Sequence, residues 1–294
     1  MKNKQINFKK ERDFGDHFNA TFNFITQEYK KLGMAILYFV VPPLLLSAIS
    51  VTIYSLKAQE LTQTLVKNTQ PDPFAVFSVI GPLFGYILIA MIISLISSAT
   101  LFSTVYGYIK LYISKGSDGF EITDVWEQVK KNFFRILPAL VVVGIVVVVG
   151  LVLCIIPGIY LGVGLSIVFC IMIFEEKSFS VSFGRSLSLI NKNFWPTLGS
   201  LFIVTIILYI LMILVSLPSM LFGFKSILMN VKHGANAGMN LPVSYYIVNS
   251  LTQLVTQVLT VIPIVLTAFI YFDVVEKVEK PSLLEKIDQI NENE

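Results

Sequence analysis

Charge is what this sequence has least of. Asp, Glu, Lys and Arg make up only 14% of its 294 residues, against roughly 25% in an average soluble chain. Five stretches hold none at all: Met34–Ser55, Phe74–Ile109, Ile136–Phe174, Pro196–Phe224 and Leu241–Phe272. Mean hydropathy is +0.75. A water-soluble fold would have to bury five all-round apolar helices, and too little chain remains to cover them. Histidine is almost as scarce, with His17 and His233 alone. No His-x-x-x-His and no Cys/His cluster is present to hold a metal, and no metal or cofactor is expected. A P-loop and a Gly-x-Ser-x-Gly turn are both missing. No acid, base or nucleophile cluster lies at membrane depth, which argues against an enzyme. The two cysteines, Cys154 and Cys170, sit inside apolar runs and read as small apolar filler. No secretory signal is expected, because residues 1–33 are polar and charged. Net charge is +3 without a dense basic tract, so nucleic acid is not an expected partner.

What is present is membrane-spanning sequence. About 20 helical residues cross a hydrocarbon core, and every uncharged run is long enough. Ile136–Phe174 has 39 residues, roughly twice that length. Pro157-Gly158 falls near its middle, where proline removes a ladder donor and glycine permits a turn. Two helices joined by a tight uncharged hairpin are expected there. Phe74–Ile109 is read as one long helix from Pro82 to about Lys115. The count is six spans.

Lysine and arginine set the orientation. Alternate connecting segments hold eighteen and four, the four being Lys57, Lys67, Lys225 and Lys232. The rich side is expected in the cytoplasm with both termini. On this reading residues 1–33 are a cytoplasmic segment with an amphipathic helix, 34–273 the membrane domain and 274–294 an acidic cytoplasmic tail. Cysteines placed at Gln70 and Asn236 should then label from outside, and one at Asn293 should not.

Three cytoplasmic segments share an apolar stripe at helical spacing: Phe18/Phe22/Ile25/Tyr29, Ile122/Trp126/Val129/Phe133 and Phe183/Leu187/Ile190/Phe194. The second and third share more. Lys131-Asn132-Phe133 and Lys192-Asn193-Phe194 are 61 residues apart, as are Pro157 and Pro218. The pattern suggests three repeats of surface helix plus hairpin. Each surface helix is expected near the membrane plane, with its stripe toward the bundle or lipid. His17 falls opposite its stripe and is expected to be solvated, as is His233.

Two features of the spans are candidates for more than packing. Asn249, Gln253 and Gln257 recur every four residues in the last run, with Thr252, Thr256 and Thr260 beside them. Unpaired amides in hydrocarbon are costly, so the stripe must face protein or water. It either bonds to neighbouring helices, with Ser94, Ser97, Ser98 and Ser103 as possible partners, or lines a polar path. Gly158, Gly162 and Gly164 allow a close helix approach.

One ordered set of motifs looks familiar. It runs Ile156-Pro157-Gly158-Ile159-Tyr160-Leu161, then Phe174-Glu175-Glu176-Lys177-Ser178, Phe183-Gly184-Arg185-Ser186 and Lys192-Asn193-Phe194-Trp195. This order resembles the membrane region fused to some bacterial glycerophosphodiester phosphodiesterases, and related stand-alone membrane proteins of unknown function. The start Phe14–Leu32 and the end Phe272–Lys277 are similar to stand-alone members. The resemblance implies a six-helix membrane domain and marks Glu175, Ser178, Arg185, Ser186 and Trp195 as family-motif positions. It implies no phosphodiesterase activity, because that chemistry belongs to a separate barrel of about 250 residues.

The expectation is therefore an all-α polytopic membrane helix bundle: six transmembrane helices with three cytoplasmic amphipathic surface helices. Its expected role is a non-enzymatic accessory or scaffold protein of the bacterial inner membrane. The alternative is a transporter or channel for a small neutral solute or lipid. Membrane lipids and other membrane proteins are the expected partners.

Overall fold

A helix satisfies its own backbone hydrogen bonds, which is the condition for crossing hydrocarbon. The computed structural model describes residues 5–67, 73–232 and 241–281, and every regular element among them is helical. The protein is an all-α polytopic membrane bundle. Six helices are long and apolar enough to span a bilayer: Phe14–Thr62, Ile80–Lys115, Ile122–Leu153, Ile155–Phe174, Phe194–Ser226 and Val243–Glu279. Gln70, His233, Asn236 and the tail beyond residue 281 lie outside the described residues.

The elements are α1 (Phe14–Ala35), α2 (Val41–Lys67), α3 (Pro73–Lys115), α4 (Ile122–Leu153), α5 (Ile155–Gly164), α6 (Val168–Phe174), α7 (Phe179–Asn191), α8 (Phe194–Lys232), α9 (Val243–Leu259) and α10 (Val261–Glu279). A π-helical turn, Ile36–Val40, carries α1 into α2. It ends two positions before Pro42-Pro43, whose missing N–H groups leave carbonyls one turn earlier without their usual donors. Of the three amphipathic segments, only the third is a separate helix, α7. The first runs on through the π turn, and the second is the opening of α4, uninterrupted through Pro138. The 61-residue correspondence does not extend to element boundaries: Pro157 lies in the first turn of α5, whereas Pro218 lies inside α8.

The break between α4 and α5 falls at Cys154, three residues ahead of Pro157-Gly158. Cys154 alone is extended, with φ −166° and ψ 138°. Pro157 costs little in a first helical turn, where its N–H would be an orphan anyway. Gly158 faces α4, and a Cβ there would stand 2.6 Å from the Leu151 backbone nitrogen. Gly164 faces α7, where a Cβ would meet Leu187 Cδ2 at 2.6 Å. The turn is wholly apolar and outward-facing: Leu153 is 80% exposed, and Val152, Ile155 and Ile156 are similar.

The surface inverts that of a soluble protein. Leu46, Ile49, Phe84, Phe202, Tyr209 and Leu221 stand exposed, while Ser103, Thr104, Ser182, Ser186, Ser200 and Asp273 are buried. This is the arrangement a lipid solvent selects.

The chain forms two compact units. The first comprises Met1–Val40, Ala99–Ile206 and Val261–Glu294. In it α1 packs on α10, α4 on α5 and α6 on α7. Its core is aromatic. Phe8, from the irregular segment before α1, stacks on Phe269 at 4.2 Å and meets Phe24 and Tyr112 edge-on. That segment is also tied by backbone, since the Ile6 N–H donates to Tyr112 Oη at 2.9 Å. The second unit comprises Val41–Ser98 and Ile207–Thr260, with α2 packed on α9. Every described lysine and arginine of the rich segments lies in the first unit. Lys57, Lys67, Lys225 and Lys232 lie in the second.

Candidate functional site

In the second unit, Asn249, Gln253 and Gln257 fall on one half-buried face of α9. Gln257 Nε2 donates to Ser98 Oγ at a long 3.4 Å. Nearby hydroxyls are already engaged: Ser47 pairs with Ser94 at 2.8 Å, and Ser97 donates to the Pro43 carbonyl at 2.7 Å. Leu44, Ser47, Ser94, Ser98, Gln253 and Gln257 enclose a recess of about 50 Å³. A water occupies roughly 30 Å³ of liquid, so the recess suits a water or two and is too small for a solute. Gln253 faces this space and makes no hydrogen bond to another described residue. Gln253→Leu is therefore expected to change stability by less than about 1 kcal/mol, the scale of one such bond in a membrane. Thermal unfolding of the variant in detergent checks this; a larger loss would mean that the amide carries a bond the recess does not suggest.

The first unit holds most of the charged side chains, and several of them join helices. Glu175 caps the C-terminus of α6 and accepts from Arg185 Nε at 2.8 Å and Tyr271 Oη at 3.0 Å. Lys177 Nζ lies 2.7 Å from its other oxygen. Arg185 then reaches α10 with a two-pronged pair to Glu279, at 2.7 and 3.0 Å. One guanidinium thus fixes the end of α6, the middle of α7 and the end of α10. Ser186 Oγ donates to the Gly164 carbonyl at 2.6 Å and closes α7 onto α5. Ser178 precedes α7, and its carbonyl accepts the Ser182 N–H at 3.0 Å. Trp195 does not join this cluster. It is 77% exposed at the start of α8, against Phe194. Glu175, Ser178, Arg185 and Ser186 thus stand at the α5–α6–α7–α10 junction, and Trp195 faces outward.

A second knot ties the chain start to α10. Asp273, fully buried, accepts the Arg12 backbone N–H at 2.7 Å and pairs with Lys277 at 2.8 Å. His17 Nε2 lies 3.2 Å from the same carboxylate, off the direction of a good hydrogen bond, and its Nδ1 lies 3.4 Å from Ser200 Oγ. His17 is only 3% exposed, which corrects its expected place in solvent. The reason is the solvent on the other face. The buried side of α1 is His17, Thr21, Phe24, Glu28, Leu32 and Ala35, while Phe22 and Tyr29 of the apolar stripe point outward. Facing lipid, an amphipathic helix turns its polar side inward. Helix α7 buries Ser182 and Ser186 too, together with Leu189 and with Ile190 of its apolar stripe. His17 carried no sequence signal beyond its type; its partner lies in a helix more than two hundred residues away.

The connection between α6 and α7 is expected to respond to pH. Lys110 and Lys131 Nζ reach Glu176 Oε1 at 2.6 and 2.8 Å, and hydrogen bonds from them pull its carboxyl from 4.5 to about 2. Burial works to raise the Glu175 carboxyl, but bonds from Lys177, Arg185 and Tyr271 outweigh it and hold it below the usual value. The folded state thus binds these protons less readily than the unfolded one. Their stabilisation is complete above the ordinary value of 4.5 and fades as pH falls toward about 2. Melting temperature should fall over that window, and less steeply in Glu176→Gln. An identical slope in the variant would remove Glu176 from the effect.

Among the described residues, no group of three or more His, Cys, Asp or Glu could hold a metal ion. No family model, no curated protein and no solved structure matches the chain.

Proposed function

We propose that the chain is a non-enzymatic accessory or scaffold protein of the bacterial inner membrane, with both termini in the cytoplasm and kinship to the stand-alone membrane proteins it resembles. The observation that carries this reading is the use of its ionisable groups. Glu175, Arg185 and Glu279 join α6, α7 and α10, and Asp273 of α10, paired with Lys277 in its own helix, faces His17 of α1. Such pairs fix the arrangement of helices. Ser200, His17 and Asp273 follow the order of a nucleophile relay, yet all three are buried, which suits a structural role. The orientation is supported by the lysine-rich character of the first unit. Trp126 and Trp195 lie within its basic segments, where tryptophan anchors a membrane interface.

The transporter reading draws on the recess beside Gln253, whose size admits water only. Affinity purification of the tagged chain from native membranes separates the two. A membrane protein recovered in comparable amount and lost on Arg185→Ala supports the scaffold. Protein-dependent uptake of a neutral solute into proteoliposomes, with rapid reaction of Gln253→Cys with a water-soluble thiol reagent, would replace it with a transporter.

A further inference from the structure

The first unit contains a pocket of about 370 Å³ that the scaffold reading does not use, lined by Lys31 and Met34 of α1, Tyr108 of α3, and Phe120, Glu121, Ile122, Thr123 and Val125 at the start of α4. Its volume lies within the roughly 300–1,000 Å³ of small-molecule sites. Its floor is apolar: Met34, the Tyr108 ring, Phe120, Ile122 and Val125. Its rim carries both signs of charge, Lys31 and Glu121.

Both walls are held in place. Tyr108 Oη and Ser117 Oγ donate to the buried Glu28 carboxylate at 2.6 and 2.9 Å. Phe120 meets the Tyr108 ring edge-on at 5.1 Å. Lys31 Nζ is anchored to the Ser117 carbonyl and lies 2.8 Å from Asp118. The Glu121 N–H donates to Asp124 at 3.0 Å, which fixes the rim at the start of α4.

The pocket's place in the sequence matters as much as its shape. Lys31 and Met34 straddle the start of the uncharged run Met34–Ser55, and Tyr108 lies at the end of the run Phe74–Ile109. The pocket therefore stands where uncharged helix meets charged connection, which is headgroup depth for a membrane protein. A molecule that fits must be apolar at one end and carry charge at the other.

We propose that this pocket binds one zwitterionic aminophospholipid, its acyl chain on the Met34–Phe120–Val125 floor, its phosphate at Lys31 and its primary ammonium at Glu121. The paired signs select this class. An anionic phosphatidylglycerol would satisfy Lys31 and leave Glu121 and Asp118 facing added negative charge. A phosphatidylcholine has the charges but no N–H to donate to a carboxylate. The proposal rests on the membrane-spanning fold and not on the scaffold reading.

The test offers the detergent-purified full chain an equimolar mixture of phosphatidylethanolamine, phosphatidylglycerol and phosphatidylcholine, and reads retained lipid by native mass spectrometry. One phosphatidylethanolamine per chain is expected, at least fivefold over either competitor. Thr123→Trp, which fills the mouth from an exposed position, should cut that adduct at least fivefold with an unchanged melting temperature. Glu121→Gln should shift the preference toward phosphatidylglycerol and serves alone if the tryptophan variant does not fold. Adducts in the supplied ratio, a wild-type preference for phosphatidylglycerol, or retention unaffected by both variants would overturn the proposal.

Discussion

Asp273→Ala is expected to destabilise the protein by about 3–5 kcal/mol, the range for removing one partner of a buried ion pair. Asp273 is wholly buried and serves two donors at once, the Arg12 backbone N–H and Lys277, with His17 Nε2 3.2 Å away. Alanine removes the counter-charge and leaves a buried backbone donor unpaired. The Arg12–Lys277 link, in which Lys277 Nζ donates to the Arg12 carbonyl at 2.8 Å, would then bring a cation into the bundle without its carboxylate. Asp273→Asn is isosteric and keeps an acceptor for Arg12, so it should cost less. Thermal unfolding in detergent at pH 7 orders the three proteins as wild type, asparagine, alanine. An alanine variant as stable as wild type would show that the cluster contributes nothing to holding the chain start against α10.

The second large effect is expected at Gly158. A Cβ there would lie 2.5 Å from Leu151 Cδ2 and 2.6 Å from Leu151 N. A side chain can rotate away, but the backbone nitrogen of α4 cannot. Gly158→Ala must therefore push α5 off α4, and overpacking of this kind costs about 1–3 kcal/mol or more. Gly164→Ala also meets an atom at 2.6 Å, but that atom is the end of the Leu187 side chain, and the cost should be under about 1 kcal/mol. Gly33, in α1, has nothing within 4 Å of its would-be Cβ. Gly33→Ala should stabilise by about 0.5–1 kcal/mol through helix propensity. Melting temperatures in the order Gly33→Ala, wild type, Gly164→Ala, Gly158→Ala are expected. A Gly158→Ala protein as stable as Gly164→Ala would mean that the hairpin is looser than its geometry.

The spans were legible in the sequence because the exclusion of charge from hydrocarbon is written residue by residue. Five uncharged runs follow from that alone, and the length of Ile136–Phe174 makes six helices of them. The hairpin near Pro157 was legible too, but its turn falls at Cys154, because a proline that opens a helix looks in sequence like one that breaks it. The orientation of the amphipathic helices was harder. Helical spacing shows that Phe18, Phe22, Ile25 and Tyr29 share a face, not whether lipid or protein covers it. His17 opposite them therefore reads as solvent-facing, yet it is buried against Asp273. Phe8 left no periodic trace, since it precedes the first helix. Glu175 and Arg185 stood out, but their respective partners Tyr271 and Glu279 lie about ninety residues on, and only folding brings them together. The amide stripe of α9 was visible by spacing, while the size of the recess beside it depends on side chains from α2 and α3.

The reading stands or falls on whether the chain crosses the membrane with its charge-rich segments inside. Single cysteines at Lys57 and Lys192, both exposed, report this directly in a protein whose Cys154 and Cys170 are replaced by alanine. In intact cells a membrane-impermeant maleimide should modify Lys57→Cys and spare Lys192→Cys, which should react only after the membrane is opened. Modification of Lys192→Cys from outside with Lys57→Cys protected would invert the topology, and equal modification of both before permeabilisation would contradict it.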